Sequence, residues 1–302
     1  MDGLINVLKP PGMTSHDVVA WLRSLLKMRK IGHAGTLDPD AAGVLPVAVG
    51  KGTRLLEFFL DGPKSYRCEV ILGITTDTYD VYGQFLRREA ISSAQKERLP
   101  AVLKTFTGEI LQIPPMVSAV RYRGKRLYEL ARQGKTVERS PRSIRIFKLE
   151  IIETFLEQDP PRFYLDVVCS KGTYIRTLCH DLGQKIGCGA AMSFLLRTEA
   201  AGFRLENAYT LEEISASWNR GEQNFLQPLE KILDFPEVAI GEADLSLVLN
   251  GNPIPASQLC KFSPGWQQAS WLQIKYDNRL VAVGKPVRKG RIQLIQPKKV
   301  LG

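Results

Sequence analysis

Several large classes are excluded by what the sequence does not contain. Among its 302 residues no run of about 18 apolar side chains occurs, the length that a membrane-crossing helix needs. The N-terminus, Met-Asp-Gly-Leu-Ile-Asn-Val, has no basic stretch ahead of an apolar one. No secretory signal is therefore expected, and a cytoplasmic location follows. Cysteine is sparse and odd in number: Cys68, Cys169, Cys179, Cys188 and Cys260 include no C-x-x-C pair. That pattern speaks against a disulfide framework and a zinc site, and for buried thiols in a reducing compartment. Histidine is rarer still (His16, His33 and His180) and forms no H-x-x-x-H pair, so no metal is expected. No segment repeats, and none is of low complexity.

Positive charge, by contrast, is plentiful. Lys and Arg total 41 against 31 Asp and Glu, a net charge of +10. The excess is uneven. Arg121 to Lys148 holds ten basic and two acidic residues, and Lys285 to Lys299 holds six basic and none acidic. Between them, Glu212 to Asp244 holds eight acids and two bases. One charged run alone is an ordinary solvated face. Two basic blocks separated by an acidic stretch point to a polyanionic partner, nucleic acid first. The 44% hydrophobic content suits a globular core, and the length suits two domains.

The N-terminal part reads as a mixed α/β domain. Leu4 to Lys9 has strand character and stops at Pro10-Pro11-Gly12. Thr14-Ser-His-Asp17 fits a capping box, followed by Val18, Trp21, Leu22, Leu25 and Leu26 at helical spacing. Lys30 to Ala42 is polar and Gly-rich, hence a loop, and Val44 to Val49 a buried strand. Tyr66, Cys68, Val70 and Leu72 alternate with polar neighbours as in a half-buried strand, and Ser143–Thr154 and Arg162–Cys169 have similar character. Pro100 predicts a helix that starts near it. Ile175, Leu178, Leu182 and Ile186 form one helical stripe, and Thr210–Glu213 caps another short helix. The acidic, Pro-containing Pro228–Asp244 marks a boundary. The short apolar runs beyond it predict a small β-rich domain, of a size that can fold alone.

The segment that invites chemistry is Gly32-His-Ala-Gly-Thr-Leu-Asp38-Pro39. Its glycines permit tight turns and close approach by a ligand, and Pro39 pushes Asp38 towards an extended backbone. An acid held on such a loop is a candidate base or nucleophile, although an Asp-Pro pair is also a common turn.

A longer pattern surrounds it. Asn6–Gly12, Gly32–Gly43, Lys64-Ser-Tyr-Arg67, Gly73–Gly83, Ile113–Ala119, Gly124–Arg132 and Cys169–Arg176 occur in the order, and with the residues, of the TruB family of pseudouridine synthases. The chain resembles that family across most of its first two thirds.

The resemblance implies a fold and a chemistry. The fold class is α+β, a mixed and largely antiparallel sheet with flanking helices over 1–235. It carries a basic RNA-clamping insertion at about 114–145 and is followed by a PUA-like RNA-binding domain over 245–302. The reaction is conversion of uridine 55 in the tRNA T-loop to pseudouridine, with no cofactor. Asp38 falls on the catalytic aspartate and Arg176 on the arginine paired with it, an arrangement that favours an ionised carboxylate. Tyr66 falls on the tyrosine that stacks on the base and takes the C5 proton. Tyr174 and Leu195 fall on substrate-pocket positions, and Lys9 is grouped with them. His33 falls on a histidine inserted into the T-loop, where a flipped base leaves a gap. Arg123, Lys125, Arg126 and Arg132 in the insertion would contact phosphate. Tyr122 and Tyr128 beside them suit base stacking or core packing. The family usually has two arginines after the pocket leucine, where this chain has Leu196-Arg197.

The expected partner is tRNA, held at its T-arm and elbow, with no membrane and no obligate protein partner, by a monomer. The basic insertion, with the Val137-Glu-Arg-Ser-Pro-Arg142 stretch towards its end, favours the stand-alone bacterial form over the guide-RNA-dependent dyskerin type. A non-catalytic tRNA-folding chaperone would also carry basic surfaces, but has no need of Asp38, Tyr66 and Arg176 together. An aspartyl-phosphate enzyme would want its acid at a strand end with magnesium. Asp38 sits instead in a Gly-rich loop, with Pro39 between it and Asp40.

Overall fold

The computed structural model describes all 302 residues. Strand β1 (Gly3–Lys9) leads into helix α1 (Ser15–Leu26). The Thr14 side chain accepts from the Asp17 amide while the Asp17 carboxylate accepts from the Thr14 amide, the reciprocal cap that the sequence predicts. A short strand β2 (Ile31–His33) and a long one, β3 (Ala42–Val49), follow. The sequence reads 30–42 as loop throughout. In the fold, Ile31–His33 pairs with Val47–Val49, because β3 has a free hydrogen-bonding edge there.

Next come β4 (Lys64–Leu72), helix α2 (Ser93–Lys104), β5 (Gly108–Gln112), β6 (Arg142–Phe155), β7 (Arg162–Cys169), α3 (Ile175–Ile186), β8 (Ala190–Ala200) and α4 (Leu211–Asn219). Pro100 does not open α2. The helix begins at a Ser92–Gln95 capping box and runs through the proline. Pro100 is on the exposed face, where water can take the bond that the Lys96 carbonyl loses.

The strands form one large sheet in the order Leu226–Gln227, β1, β3, β8, β4, β7, β6, β5, with β2 paired to β3. Every joint along that order is antiparallel except β3–β8, which is parallel and short, matching Leu196 with Ala42 and Arg197 with Gly43. The two halves meet at this seam. In one half, Cys68, Val70, Phe163 and Leu165 on the sheet pack under Leu99 of α2 and Leu178 and Leu182 of α3. In the other, Ile5, Val7, Leu45 and Val47 pack under Val18 and Leu22 of α1 and Ile214 of α4.

The opposite face of β1 and β3 is also covered, which is why Val44–Val49 is apolar without alternation. Leu4, Val44 and Leu55 join Leu229 and Leu233 in a core shared with Leu280, Val283 and Leu301 of the C-terminal region. That region is a second, six-stranded sheet built on the antiparallel run Leu272–Tyr276, Arg279–Lys289, Ile292–Val300. It has a small core of its own around Val238, Trp266 and Ile274. Glu237–Ala239 adds to it in parallel, so the second sheet takes in residues upstream of the expected start at 245. The pattern of short apolar runs does not register a three-residue strand inside the acidic linker. Cys68, Cys169, Cys179 and Cys188 are buried as expected; Cys260 is exposed, at the end of a short loop in the second sheet. No helix is long and apolar enough to cross a membrane.

Candidate active site

Asp38 lies in the loop between β2 and β3, directly before the seam, and hydrogen bonds to residues 9–15 and to β8 hold that loop. Lys9 Nζ donates to the Pro10 and Pro39 carbonyls at 2.7 and 2.9 Å. The Gly12 amide donates to Pro39 O at 3.0 Å, and the Leu37 amide to Ser15 Oγ at 2.9 Å. From β8, Arg197 Nε donates to Val44 O at 2.7 Å and Nη2 to Gly35 O at 3.2 Å. Lys9 and Arg197 are both fully buried, and carbonyl dipoles satisfy them. At the seam the chains almost touch. A Cβ on Gly43, whose φ is +117°, would sit 2.2 Å from the Arg197 carbonyl, so only glycine fits.

Arg176 comes from the first turn of α3. Its Nε donates to Asp38 Oδ2 at 2.8 Å and its Nη2 to Oδ1 at 3.2 Å. It also donates to the Thr78 carbonyl at 3.2 Å and the Val117 carbonyl at 2.9 Å. Asp80 Oδ2 lies 3.6 Å from Nη1. The arginine side chain is 4% exposed and the Asp38 side chain 42%, so the carboxylate faces open space while its partner is enclosed. Asp80 is held in turn by Thr78 Oγ1 and the Tyr82 amide, and burial raises its carboxyl above the ordinary range.

The open space is a cleft of about 280 Å³, bounded by Asp38, Tyr66, Tyr174, Leu195, Lys64 and Arg197. Tyr66 stands on β4, and Leu195 on β8 beside it. Tyr174 caps α3 and exchanges two hydrogen bonds with the side chain of Gln112, its amide donating to Oε1 at 2.8 Å and its carbonyl accepting from Nε2 at 3.0 Å. Burial pushes both the Tyr66 and the Tyr174 phenols up, so at neutral pH each presents a neutral hydroxyl.

The fold thus gathers Asp38, Tyr66, Tyr174, Arg176 and Leu195 from separate stretches of chain around one cleft. Lys9 is not among them. It lies beneath the loop with its ammonium bonded to carbonyls, and burial brings it down to about 8; it supports the Asp38 loop and does not line the cleft. His33 is on β2, half-buried, with its ring edge-on to His16 at 5.2 Å. Burial, helped by His16, lowers its pKa and leaves a neutral imidazole. Arg123, Lys125, Arg126 and Arg132 belong to a hairpin and short helix between β5 and β6. Arg123, Lys125 and Arg132 are exposed; Arg126 is half-buried and donates to the Tyr128 hydroxyl at 3.0 Å. The root of this insertion supplies the Val117 carbonyl to Arg176.

Three participants escape the sequence reading: Asp80, the Val117 carbonyl and the loop-holding role of Arg197. Asp80 lies in the Gly73–Gly83 block and Arg197 in the Leu196-Arg197 pair, so both positions carry a signal but no role. A backbone carbonyl carries none.

Comparison with known proteins bears on this geometry. Residues 23–175 match the family model described as TruB family pseudouridylate synthase (N terminal domain), and residues 176–234 the one described as tRNA pseudouridylate synthase B C-terminal domain. The chain belongs to the TruB family of pseudouridine synthases. Its relatives include proteins named tRNA pseudouridine synthase B from Moorella thermoacetica, 46% identical over 99% of both chains, and from Heliobacterium modesticaldum, 44% identical over 99% of this chain and 95% of that one. Among solved structures, one titled as a Cbf5-Nop10-Gar1 complex superposes with a TM-score of 0.73 at 30% identity, covering 99% of this chain and 85% of that one. The TruB matches divide between Ile175 and Arg176, inside the continuous helix α3, and end at 234, just ahead of the second sheet. As a pseudouridine synthase the chain is an isomerase.

Proposed function

We propose that this TruB member converts uridine 55 in the T-loop of tRNA to pseudouridine, as a stand-alone monomer in the cytoplasm. The relatives' name, tRNA pseudouridine synthase B, supports tRNA as the substrate. The observation that carries the reading is the half-exposed Asp38 carboxylate, gripped by the enclosed Arg176 at the edge of a cleft with two tyrosines and a leucine. The reaction breaks the N1–C1′ bond and forms a C5–C1′ bond. C5 loses a proton and N1 gains one, so no electrons enter or leave and no redox cofactor is required. Asp38 supplies the carboxylate that opens the reaction, and Arg176 keeps it aimed through two hydrogen bonds. Tyr66 stacks on the uracil and its hydroxyl relays the C5 proton, while Tyr174 and Leu195 enclose the ring. His33 fills the gap that the flipped base leaves, and its neutral ring suits insertion between bases. The basic insertion and the second sheet hold the phosphate backbone at two places.

The test is tritium release from C5-labelled uridine in a tRNA transcript. Asp38→Asn is expected to bind tRNA as the wild type does and release no tritium. Full release by that variant sinks the assignment of Asp38, and a wild-type chain that refolds tRNA without releasing tritium marks it as a chaperone alone.

A further inference from the structure

The segment Thr76–Gly83 crosses the face of α3 that carries Arg176, and its backbone is fixed at three points. The Thr78 carbonyl accepts from Arg176 Nη1 at 3.2 Å. The Tyr79 carbonyl accepts from the Met192 amide at 3.0 Å, and the Val81 amide donates to Met192 O at 2.9 Å. Between these points Tyr79 has a φ of +68°, the left-handed region that bulky side chains rarely enter. Its ring lies flat on His180, with centroids 4.0 Å apart and planes 21° from parallel. His180 is four residues after Arg176 on α3, so the two share a face of the helix. His180 Nδ1 is buried without a hydrogen-bond partner. No hydrogen bond at that atom orients the ring. Immediately after Tyr79 comes Asp80, whose carboxylate faces Arg176.

We propose that Tyr79 and His180 are positioning residues for the isomerisation. Their stack holds Tyr79 in its left-handed turn, which keeps the Thr78 carbonyl and Asp80 against Arg176 and so keeps the guanidinium set against Asp38. Neither ring lines the cleft. The inference rests on the reading of the cleft as the isomerase site.

Single-turnover tritium release and tRNA affinity test it on the full chain. Tyr79→Ala and His180→Ala are expected to slow turnover roughly ten- to a hundredfold, because small displacements of a catalytic pair are costly, with affinity within about twofold. The double variant is expected to be no slower than the slower single one, since the stack is one unit. His180→Phe, which keeps a flat ring, is expected to stay within about threefold of wild type, whereas His180→Leu, bulky but not flat, is expected to be slow. The proposal is overturned by alanine variants at the wild-type rate, by losses that multiply in the double variant, by a loss confined to affinity, or by His180→Phe as slow as His180→Ala. If the alanine variants do not fold, equal rates for His180→Phe and His180→Leu overturn it. Failure of the underlying reading differs from all of these: the wild-type chain itself then releases no tritium.

Discussion

Arg176 meets Asp38 at two atoms, Nε to Oδ2 at 2.8 Å and Nη2 to Oδ1 at 3.2 Å, while it also donates to the Thr78 and Val117 carbonyls. The guanidinium is therefore a junction: three segments far apart in sequence reach the acid through one side chain. A lysine cannot copy a planar fork of this kind. Arg176→Lys is expected to lose roughly a hundredfold or more in single-turnover rate, with tRNA affinity largely kept. A rate within a few-fold of wild type would show that charge alone suffices.

Arg197 supports the same loop from the other side of the seam. Replacing it with methionine keeps much of the volume but strips donors from the buried Val44 and Gly35 carbonyls. The expected loss is about 2–5 kcal/mol in urea unfolding, with reduced activity. An unchanged unfolding midpoint would mean that the loop holds itself.

The insertion lends itself to a salt titration. Changing Arg123, Lys125 and Arg132 to glutamine is expected to flatten the dependence of log affinity on log salt, by about 0.7–0.9 for each phosphate left without its cation. Adding Arg126→Gln is expected to change the slope little, because that side chain is half-buried and bonded to Tyr128. A slope unmoved by the triple change would remove this surface from the RNA interface.

Asp181 gives a stability signal with a defined sign. Burial raises its carboxyl from 3.8 to about 6. Between those values the folded chain holds a proton that the unfolded chain has released, so stability falls as pH rises through that window. Above it the charged carboxylate is a standing cost. Asp181→Asn is expected to stabilise the protein by about 1 kcal/mol at pH 7 to 8, because water screens the partly exposed carboxylate, with the gain gone below about pH 4. Chemical unfolding across pH reads it directly; a gain independent of pH would assign the effect to something other than ionisation.

Much of the fold is legible in the sequence because the signals are local. The Thr14 cap, the strand alternation at Tyr66–Leu72 and the stripe Ile175–Ile186 each act within one element, and the fold follows them. The cleft residues are legible through motif order, since Asp38, Tyr66, Tyr174 and Arg176 each sit in a recognisable block. What escapes depends on three-dimensional partners. Lys9 looks like a ligand-binding cation until the loop is seen closing over it. Asp80 looks like one more polar turn residue until Arg176 is seen beside it. The helix that passes through Pro100 depends on the proline lying on the exposed face, and the strand Ile31–His33 on a free edge that only the folded sheet creates.

The core shared by Leu4, Val44 and Leu55 with Leu280, Val283 and Leu301 has a consequence beyond stability. Two bodies joined by a flexible tether search for their ligand separately; two bodies fused through side chains cannot. The distance from the Asp38 cleft to the basic strands of the second sheet is set when the chain folds, and it serves as a gauge. Under the proposed function, an RNA then qualifies by its span as well as by its loop, and a shortened one that fits the cleft alone forfeits the second grip.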